Sequence, residues 1–293
     1  MTSRPTSQLP DALDDTTTGT FDIGGRPVRR FGFGAMRITG PGIWGPPEDH
    51  DEAIAVLRRA VELGINLIDT ANSYGPEVSE NLIAEALHPY PDDLVIATKG
   101  GLVRPGPGVW DPNGRPEHLR EECEGSLRRL KLERIDLYQF HRPDPDVPLE
   151  ESIGAIAQLR EEGKVANVGV SNVTVDELRQ AQAIVPIVSV QNRYNVVERK
   201  DEDVLEACAA DGLGFIPWLP INRDKVAKNG AVTEVAKAHD ATPGQVALAW
   251  LLRHSPVMLP IPGTSSVAHL EENVAAAQLQ LSDEDMQRLD TAR

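Results

Sequence analysis

The sequence NLIDTANSYG at residues 66–75 is the stretch around which the rest of the chain can be interpreted. An apolar run ends there on a carboxylate, and a tyrosine and a glycine follow. If residues 66–71 form a strand, their side chains alternate between two faces, so Leu67, Asp69 and Ala71 share one face. A carboxylate on the same face as a leucine is costly unless a cation neutralises it. We therefore expect a positively charged side chain on a neighbouring strand.

Two further strand-like runs also end on reactive side chains. LVIATKGG at residues 94–101 carries Lys99 near its end, and IDLYQFH at residues 135–141 ends on His141. Three consecutive predicted strands therefore end on an aspartate, a lysine and a histidine, with Tyr74 just beyond the first. Taken singly, each side chain has an ordinary explanation, as a helix cap, a solvated strand end or a packed loop residue. Together they indicate a reactive site.

Strand-like and helical patterns alternate along most of the chain. A Gly24-Gly25 pair predicts a β-hairpin between residues 20 and 30. Eight predicted strands and eight helical units follow, which favours a parallel (β/α)8 barrel (a TIM barrel) with its active site at the C-terminal ends of the strands. A doubly wound sheet is the alternative. The predicted strands span residues 31–36, 66–71, 94–99, 135–141, 166–171, 187–190, 215–218 and 258–261.

The predicted domain organisation is simple. Residues 1–19 are rich in Thr, Ser, Asp and Pro without any period, which predicts a flexible N-terminal arm. Residues 20–293 are expected to form one barrel domain. The predicted helices span residues 51–63, 79–87, 115–132, 149–162, 175–184, 203–210, 231–238, 243–253 and 267–277, with an extra C-terminal helix at 283–292.

Composition excludes several classes of protein. No run approaches the roughly eighteen apolar residues of a membrane span, and the N-terminus has no signal-peptide pattern. The net charge is −16, and Lys and Arg are scattered, which argues against nucleic acid and anionic membranes as partners. Cys123 and Cys208 fit neither a metal-ligand spacing nor a disulfide framework. We expect a reduced, cytoplasmic protein without a bound metal, either a monomer or a weak homo-oligomer.

The clustered side chains suit proton donation to a carbonyl group. A tyrosine with a pKa of about 10 is a slow acid at neutral pH, and an ammonium such as that of Lys99 lowers this pKa. Asp69 would keep the lysine charged, and His141 would hold a substrate carbonyl by a hydrogen bond. Because no Ser or Cys resembles a nucleophile with its base, the expected attacking species is a hydride from a cofactor.

The motifs IDTANSYG, ATKGG, QFHRPD, GKVANVGVSN and VQNRYN together resemble those of the aldo-keto reductase family over about residues 20–293. The resemblance implies that Tyr74 is the general acid and that Lys99 tunes its pKa. It also implies that Asp69 pairs with the lysine and that His141 orients the carbonyl. The family transfers hydride from C4 of a nicotinamide, usually that of NADPH.

The resemblance also implies a site for the nicotinamide. Ser171, Asn172 and Gln191 match the positions that hold its carboxamide, and they offer the donors and acceptors that an amide needs. Trp218 stands where the family usually has a tyrosine stacked on the ring, and an indole stacks at least as well. The other contacts that we expect there are Ala35, Met36, Asp69, and Pro220 and Ile221 in a loop that approaches the pyrophosphate.

The phosphate end of the predicted cofactor site lies in IPGTSS at residues 261–266, because phosphate sites of such barrels follow strands seven and eight. Gly263 permits a close backbone approach, and Ser265 can donate to a phosphate at a helix N-terminus. By the resemblance, Glu272 and Asn273 contact the adenine.

The 2′-phosphate has a less evident binding residue. Many relatives have an Arg or Lys for it, whereas this window offers only His269 as a base. Arg223 and Lys225 could reach in from the previous loop. We expect NADPH as the cofactor, with an NADH-preferring reductase as the nearest alternative.

The substrate is expected to be a small carbonyl compound. Trp44, Tyr74, Trp110 and His141 are the expected walls of its pocket, with Arg104 as a further candidate. The chain ends soon after its last predicted helix, so we expect an open mouth without the long C-terminal loop of many relatives. GPGIWGPP and IPGTSSVAHLEENVAAA look closest to a bacterial subgroup that includes pyridoxal reductases. An aromatic aldehyde, with pyridoxal as the first candidate, is the expected substrate.

An alternative from another class is a cofactor-sensing binding protein, because the family also contains β subunits of potassium channels. Such a protein would bind NADPH tightly and turn over little. The complete set of four reactive residues and the lack of an evident docking segment favour the enzyme.

Overall fold

A curled sheet of seven parallel strands, surrounded by helices, forms the body of the protein in the computed structural model, which describes residues 10–292. Each strand pairs in parallel with the next one, so the sheet follows the order of the chain. This arrangement confirms the predicted barrel. The barrel strands, numbered one to seven, are Phe33–Gly34, Leu67–Asp69, Val95–Gly100, Ile135–Phe140, Val165–Ser171, Ile187–Gln191 and Gly214–Phe215.

The predicted eighth strand closes the barrel as an extended segment rather than as a continuous ladder. Phe215 bridges to Met258 through backbone hydrogen bonds of 2.8 Å on either side of it, and Gly32 N donates to Pro260 O at 2.9 Å. The segment therefore joins the seventh strand to the start of the first. Pro260 and Pro262 have no N–H group, which prevents a full ladder here.

The first predicted strand was too long. Of residues 31–36, only Phe33–Gly34 pair as a strand, and the 3-10 helix Ala35–Ile38 follows directly. Ala35 and Met36 therefore lie in a helical turn at the mouth instead of in a strand. The second and seventh strands are likewise shorter than predicted, because the chain leaves the sheet early to form the loops of the mouth.

The helices surround the sheet close to their predicted positions. The helix beginning at Val175 has the capping box expected from Thr174 and Glu177, in which each side chain bonds the other residue's backbone N–H. A short helix after the seventh strand was not predicted. The helices are His50–Glu62, Val78–Leu87, Pro116–Leu130, Leu149–Glu161, Val175–Gln182, Glu202–Asp211, Arg223–Val226, Gly230–Ala238, Pro243–His254, Val267–Ala275 and Asp283–Asp290.

The predicted N-terminal hairpin is present and closes the lower end of the barrel. Strands Thr20–Asp22 and Pro27–Arg29 pair in antiparallel fashion, and Gly24 and Gly25 take positive φ values of 59° and 89° in the turn. Apolar side chains of the hairpin complete an inner core cluster made mainly by the strands. That cluster comprises Ile23, Val28, Leu67, Val95, Ala97, Leu137, Ile216, Leu259 and Ile261.

The predicted N-terminal arm is only partly described. Residues 1–9, like Arg293, lie outside the described residues. Within the rest of the arm, Leu13 is buried, and its N–H donates to Leu63 O at 2.8 Å. Among residues 10–292, no helix is both long enough and apolar enough to cross a membrane.

Candidate active site

The reactive side chains predicted from the sequence meet at the C-terminal mouth of the barrel. Asp69 ends the second strand, Lys99 lies near the end of the third, and His141 directly follows the fourth. A cavity of about 730 Å³ opens there and is lined by Asp69, Tyr74 and His141, among other residues. Lys99 lies beneath its floor with 1% of its surface exposed.

Lys99 is the cation that Asp69 was expected to need. Its Nζ donates to Asp69 Oδ1 at 2.6 Å and to Thr70 O at 2.8 Å, and it lies 3.3 Å from Tyr74 Oη. Asp69 Oδ2 accepts further hydrogen bonds from two glutamine side chains, at 3.0 Å from Gln139 and 2.8 Å from Gln191. The buried charges are thus compensated and fully hydrogen-bonded, which is the condition for keeping an ion pair in a core.

Tyr74 is held as a protonated phenol. Burial raises the pKa of its hydroxyl, the Lys99 ammonium lowers it, and the Asp69 carboxylate raises it, with a net increase. The lowering that we expected from the lysine is therefore present but smaller than the effect of burial. Burial lowers the pKa of Lys99, but Asp69 and Tyr74 together outweigh burial and raise this pKa above its ordinary value, so the lysine stays charged. A neutral phenol beside a fixed ammonium is a proton donor whose anion would be stabilised once formed.

His141 is held as a neutral imidazole next to the phenol. Burial, followed by the charges of Lys99 and Arg142, places its pKa well below the usual range. The ring centroid lies 6.0 Å from that of Tyr74 at an interplanar angle of 82°. Its Nδ1 is buried and has no hydrogen-bond partner among the described residues. An imidazole in this state can hydrogen-bond an oxygen that is placed between the two rings.

A chain of hydrogen bonds links the residues that we predicted to hold the nicotinamide. Ser171 Oγ donates to Gln191 O at 2.7 Å, and Asn172 Nδ2 donates to His141 O at 3.0 Å. Trp218 Nε1 donates to Asn172 Oδ1 at 3.0 Å, which fixes the indole at the mouth. Asn172 Nδ2 also donates to Ser171 Oγ at 3.0 Å. Ser171, Asn172, Gln191 and Trp218 all line the cavity.

The loops after the seventh strand and the closing segment supply the rest of the lining. From the predicted set, they bring Pro220, Ile221, Arg223, Gly263, Ser265 and His269 to the cavity, together with Leu219, Asn222 and Thr264. Gly263 is required by packing as well, because a Cβ there would lie 2.4 Å from Gly34 O. The first strand and the closing segment therefore touch through two glycines.

Some predicted cofactor contacts do not line this cavity. Ala35 is fully buried, and Asn273 is 4% exposed. Glu272 accepts a hydrogen bond from Thr242 Oγ1 at 2.9 Å. Lys225 is turned to Glu198, with its Nζ donating at 2.8 Å. Lys225 is thus paired with a carboxylate, whereas Arg223 lines the cavity.

Arg37 is a lining residue that the sequence interpretation missed. It is exposed, lies in the 3-10 helix Ala35–Ile38, and its Cγ is 3.6 Å from the position that a Cβ of Gly263 would take. With Ser265 it also borders a second cavity of about 370 Å³. The signal that could have revealed it is its place directly after Met36, a predicted cofactor contact that lines both cavities.

The aromatic wall of the cavity is organised by Arg104. Trp110 lines the cavity and packs edge-on against Tyr74, with 6.3 Å between ring centroids. The Arg104 guanidinium lies 3.5 Å from the centroid of Trp110 and 5.6 Å from that of Trp44. It donates to Ser73 O at 2.9 Å. Trp44, a predicted substrate contact, thus touches Arg104 and does not line the cavity.

A second carboxyl group lies behind the loop that carries Tyr74. Glu122 accepts a short hydrogen bond from Asn72 Nδ2, two residues before the tyrosine. Burial raises the pKa of Glu122 to about 7, against a lowering effect of Arg129 and a raising effect of Glu80. Among residues 10–292, no group of three or more His, Cys, Asp and Glu could hold a metal ion.

At pH 8, Glu122→Gln is expected to be more stable than the wild type. At pH 5 this gain in stability should be much smaller. The pKa of Glu122 is about 7 in the folded state against 4.5 as its ordinary value. This carboxyl therefore favours folding at low pH, and its contribution is lost as the pH rises through 7. The free energy of unfolding of Glu122→Gln relative to the wild type should therefore increase by about 1–3 kcal/mol from pH 5 to pH 8.

Urea unfolding at pH 5 and pH 8 measures this difference. The exposed neighbour Glu121→Gln removes the same charge and serves as the control. A gain that is the same at both pH values in Glu122→Gln would contradict the assignment.

Comparison with known proteins places the chain among oxidoreductases. Residues 30–293 match the family model described as the aldo/keto reductase family. The chain is 54% identical over 280 residues to the uncharacterized oxidoreductase C215.11c of Schizosaccharomyces pombe, covering 95% of this chain and 91% of that protein. It is 43% identical over 281 residues to pyridoxine 4-dehydrogenase of Escherichia coli, covering 94% and 98%.

A solved structure supports the same placement. The aldo/keto reductase from Klebsiella pneumoniae in complex with NADP and acetate superposes with a TM-score of 0.79 at 28% identity. The match covers 93% of this chain and 94% of that one.

Proposed function

Because the chain belongs to the aldo/keto reductase family, and is thus an NAD(P)H-dependent oxidoreductase acting on small carbonyl compounds, we propose that it reduces aldehydes with NADPH and that Tyr74 is the general acid. The observation that carries the proposal is the phenol oxygen of Tyr74, which lies 3.3 Å from the buried Lys99 Nζ at the floor of a large cavity. The neutral imidazole of His141 faces the same phenol.

The four residues have separate tasks in this proposal. When bound, the nicotinamide supplies a hydride to the carbonyl carbon. Tyr74 gives its proton to the carbonyl oxygen, and Lys99 stabilises the phenolate that remains. His141 donates a hydrogen bond that orients the oxygen. Asp69 keeps the ammonium charged and in place.

The lining of the cavity fits a nicotinamide cofactor. The Trp218 indole, held by Asn172, offers a flat apolar surface for an aromatic ring. Ser265 lines the cavity just before the helix Val267–Ala275, where its hydroxyl could donate to a phosphate. The first N–H of that helix, on Val267, donates to Glu52 Oε1 at 2.9 Å. Arg37 adds a positive charge at the same end of the cavity.

Pyridoxal or another aromatic aldehyde is the substrate class that we propose. Trp110 and Tyr74 give the cavity an aromatic wall next to the proton donor. The similarity to pyridoxine 4-dehydrogenase, at 43% identity over most of both chains, supports a related pyridine substrate.

Arg37→Gln is expected to raise the Kd for NADPH about tenfold or more and that for NADH by less. NADPH carries a 2′-phosphate that NADH lacks, and a hydrogen bond to a charged group contributes about 1.5–3 kcal/mol. Titration of the intrinsic tryptophan fluorescence measures both constants, since Trp218 and Trp110 line the cavity. Arg128→Gln, an exposed arginine on the helix Pro116–Leu130, controls for net charge. An equal loss for both cofactors would contradict a role at the 2′-phosphate.

The proposed function is tested by following nicotinamide absorbance with pyridoxal and with benzaldehyde, using NADPH and NADH in turn. Turnover that is faster with NADPH supports it. No turnover of any aldehyde with either cofactor would contradict it. Tight NADPH binding without turnover would instead support a cofactor sensor.

A further inference from the structure

We propose that the preferred aldehyde carries an oxyanion, a carboxylate or a phosphate, and that Arg142 binds it. This inference rests on the proposed function and adds the class of substrate. Arg142 directly follows His141, lines the cavity and is half-buried.

Arg142 is a cation without a partner in the described part of the chain. No hydrogen bond or ion pair joins its guanidinium to any of residues 10–292. Several other arginines of this acidic chain, whose net charge is −16, do pair with carboxylates. Arg59, Arg129, Arg179 and Arg253 are examples of such pairs. A guanidinium kept unpaired at a cavity is available for an anionic ligand.

The loop that carries Arg142 is fixed at two points, one beside the proposed nicotinamide site and one beside the segment that carries Trp110. At its start, His141 O accepts from Asn172 Nδ2 at 3.0 Å. Further along, Asp144 Oδ2 accepts from Gly114 N at 2.7 Å. Gly114 follows the antiparallel ribbon Leu102–Val103 with Asp111–Pro112, which carries Trp110. Arg142 therefore belongs with the catalytic imidazole and the aromatic wall.

Cations other than Arg142 are placed to bind the phosphates of the cofactor. Arg37 lies against Gly263 in the closing segment, and Arg223 begins the short helix after the seventh strand. Both belong to the loops at which barrels of this kind bind phosphate. Arg142 lies in the loop after the fourth strand, so it is available to bind the substrate.

A second uncompensated cation supports the same conclusion. Arg104 is 9% exposed, and its guanidinium donates only to backbone carbonyls, those of Ser73, Val109 and Gly42. It lies 3.5 Å from the ring centroid of Trp110. A buried positive charge behind the aromatic wall is weakly screened and favours an anion at the wall.

The chemistry of recognition follows from the guanidinium. Its planar N–H groups can donate two parallel hydrogen bonds to a carboxylate or phosphate. Such a contact would anchor the substituent of an aromatic aldehyde and hold its carbonyl group toward Tyr74 and His141. A neutral isostere would lose this contact but keep the packing on Trp110.

A matched pair of aldehydes tests the proposal: 4-carboxybenzaldehyde and its neutral amide, 4-carbamoylbenzaldehyde. We expect the wild type to favour the carboxylate by about tenfold or more in kcat/KM. Arg142→Gln should remove this preference, mainly through KM, and leave the amide little changed. Arg142→Lys should restore part of it, because it keeps the charge without the planar fork. Equal use of both aldehydes by the wild type would overturn the proposal.

Binding of benzoate and benzamide, measured by calorimetry, provides a readout without turnover. If no aldehyde is reduced but benzoate alone binds, and Arg142→Gln abolishes this binding, the proposed reaction fails while the oxyanion site stands. Equal binding of the two compounds would overturn the site. Pyridoxal 5′-phosphate against pyridoxal distinguishes a phosphate from a carboxylate as the natural group. Arg128→Gln again controls for net charge.

Discussion

Replacing Tyr74 with phenylalanine is expected to lower kcat for aldehyde reduction by about two to four orders of magnitude. The substitution keeps the ring that packs against Trp110 and His141 but removes the hydroxyl that lies 3.3 Å from Lys99 Nζ. Cofactor binding should survive, because the residues proposed to hold the nicotinamide are unchanged. Steady-state kinetics and fluorescence titration with NADPH measure the two effects separately.

Tyr90→Phe is a matched control for this experiment. Its hydroxyl donates to Leu130 O at 2.7 Å, and Tyr90 does not line the cavity. Its loss should leave kcat unchanged. Similar rates for the wild type and Tyr74→Phe would show that another group donates the proton.

Asp69→Asn is expected to destabilise the fold by about 3–5 kcal/mol, as when one partner is removed from a buried ion pair. Lys99 is 1% exposed, and the asparagine would leave its ammonium without a countercharge. The amide would also replace one of the two acceptor oxygens by an NH2 donor, which would face either Lys99 or the two glutamines that donate to Asp69. Urea unfolding at pH 7 measures the loss.

A double substitution separates the charge from the geometry. Adding Lys99→Met to Asp69→Asn removes the uncompensated cation, so part of the lost stability should return. Activity should not return, because the phenolate of Tyr74 would lack its ammonium. If Asp69→Asn alone were as stable as the wild type, the ion pair would not have the role assigned to it.

The core of the site could be predicted because it depends on local alternation. In a strand the side chains alternate, so Asp69 and Lys99 were expected to face the same interior. The eight-fold alternation of strands and helices then predicted that their ends meet. The hairpin at Gly24 and Gly25 was equally readable, since its turn needs residues that accept positive φ.

The remaining features depend on closure of the barrel and on loop packing. Gln191 reaches Asp69 across 122 positions of the chain, which no local pattern reveals. Arg37 was missed because the first strand was predicted to extend to Met36, whereas a helical turn that begins at Ala35 carries Arg37 to the mouth. The contact of Arg104 with Trp110 joins two residues of an irregular loop, where no period specifies direction. Burial, which also arises from closure, decides the direction of the pKa change at Tyr74.

The central claim is that a hydride passes from a nicotinamide to an aldehyde carbon at a site where Tyr74 supplies the proton. It is tested most directly with NADPH deuterated at either C4 position and benzaldehyde as the acceptor, with mass spectrometry of the alcohol. The proposed mechanism predicts one deuterium on the carbinol carbon from one C4 epimer only. It also predicts no labelled product above background with Tyr74→Phe over the same short reaction time. Unlabelled alcohol from both epimers, or no alcohol at all, would contradict it.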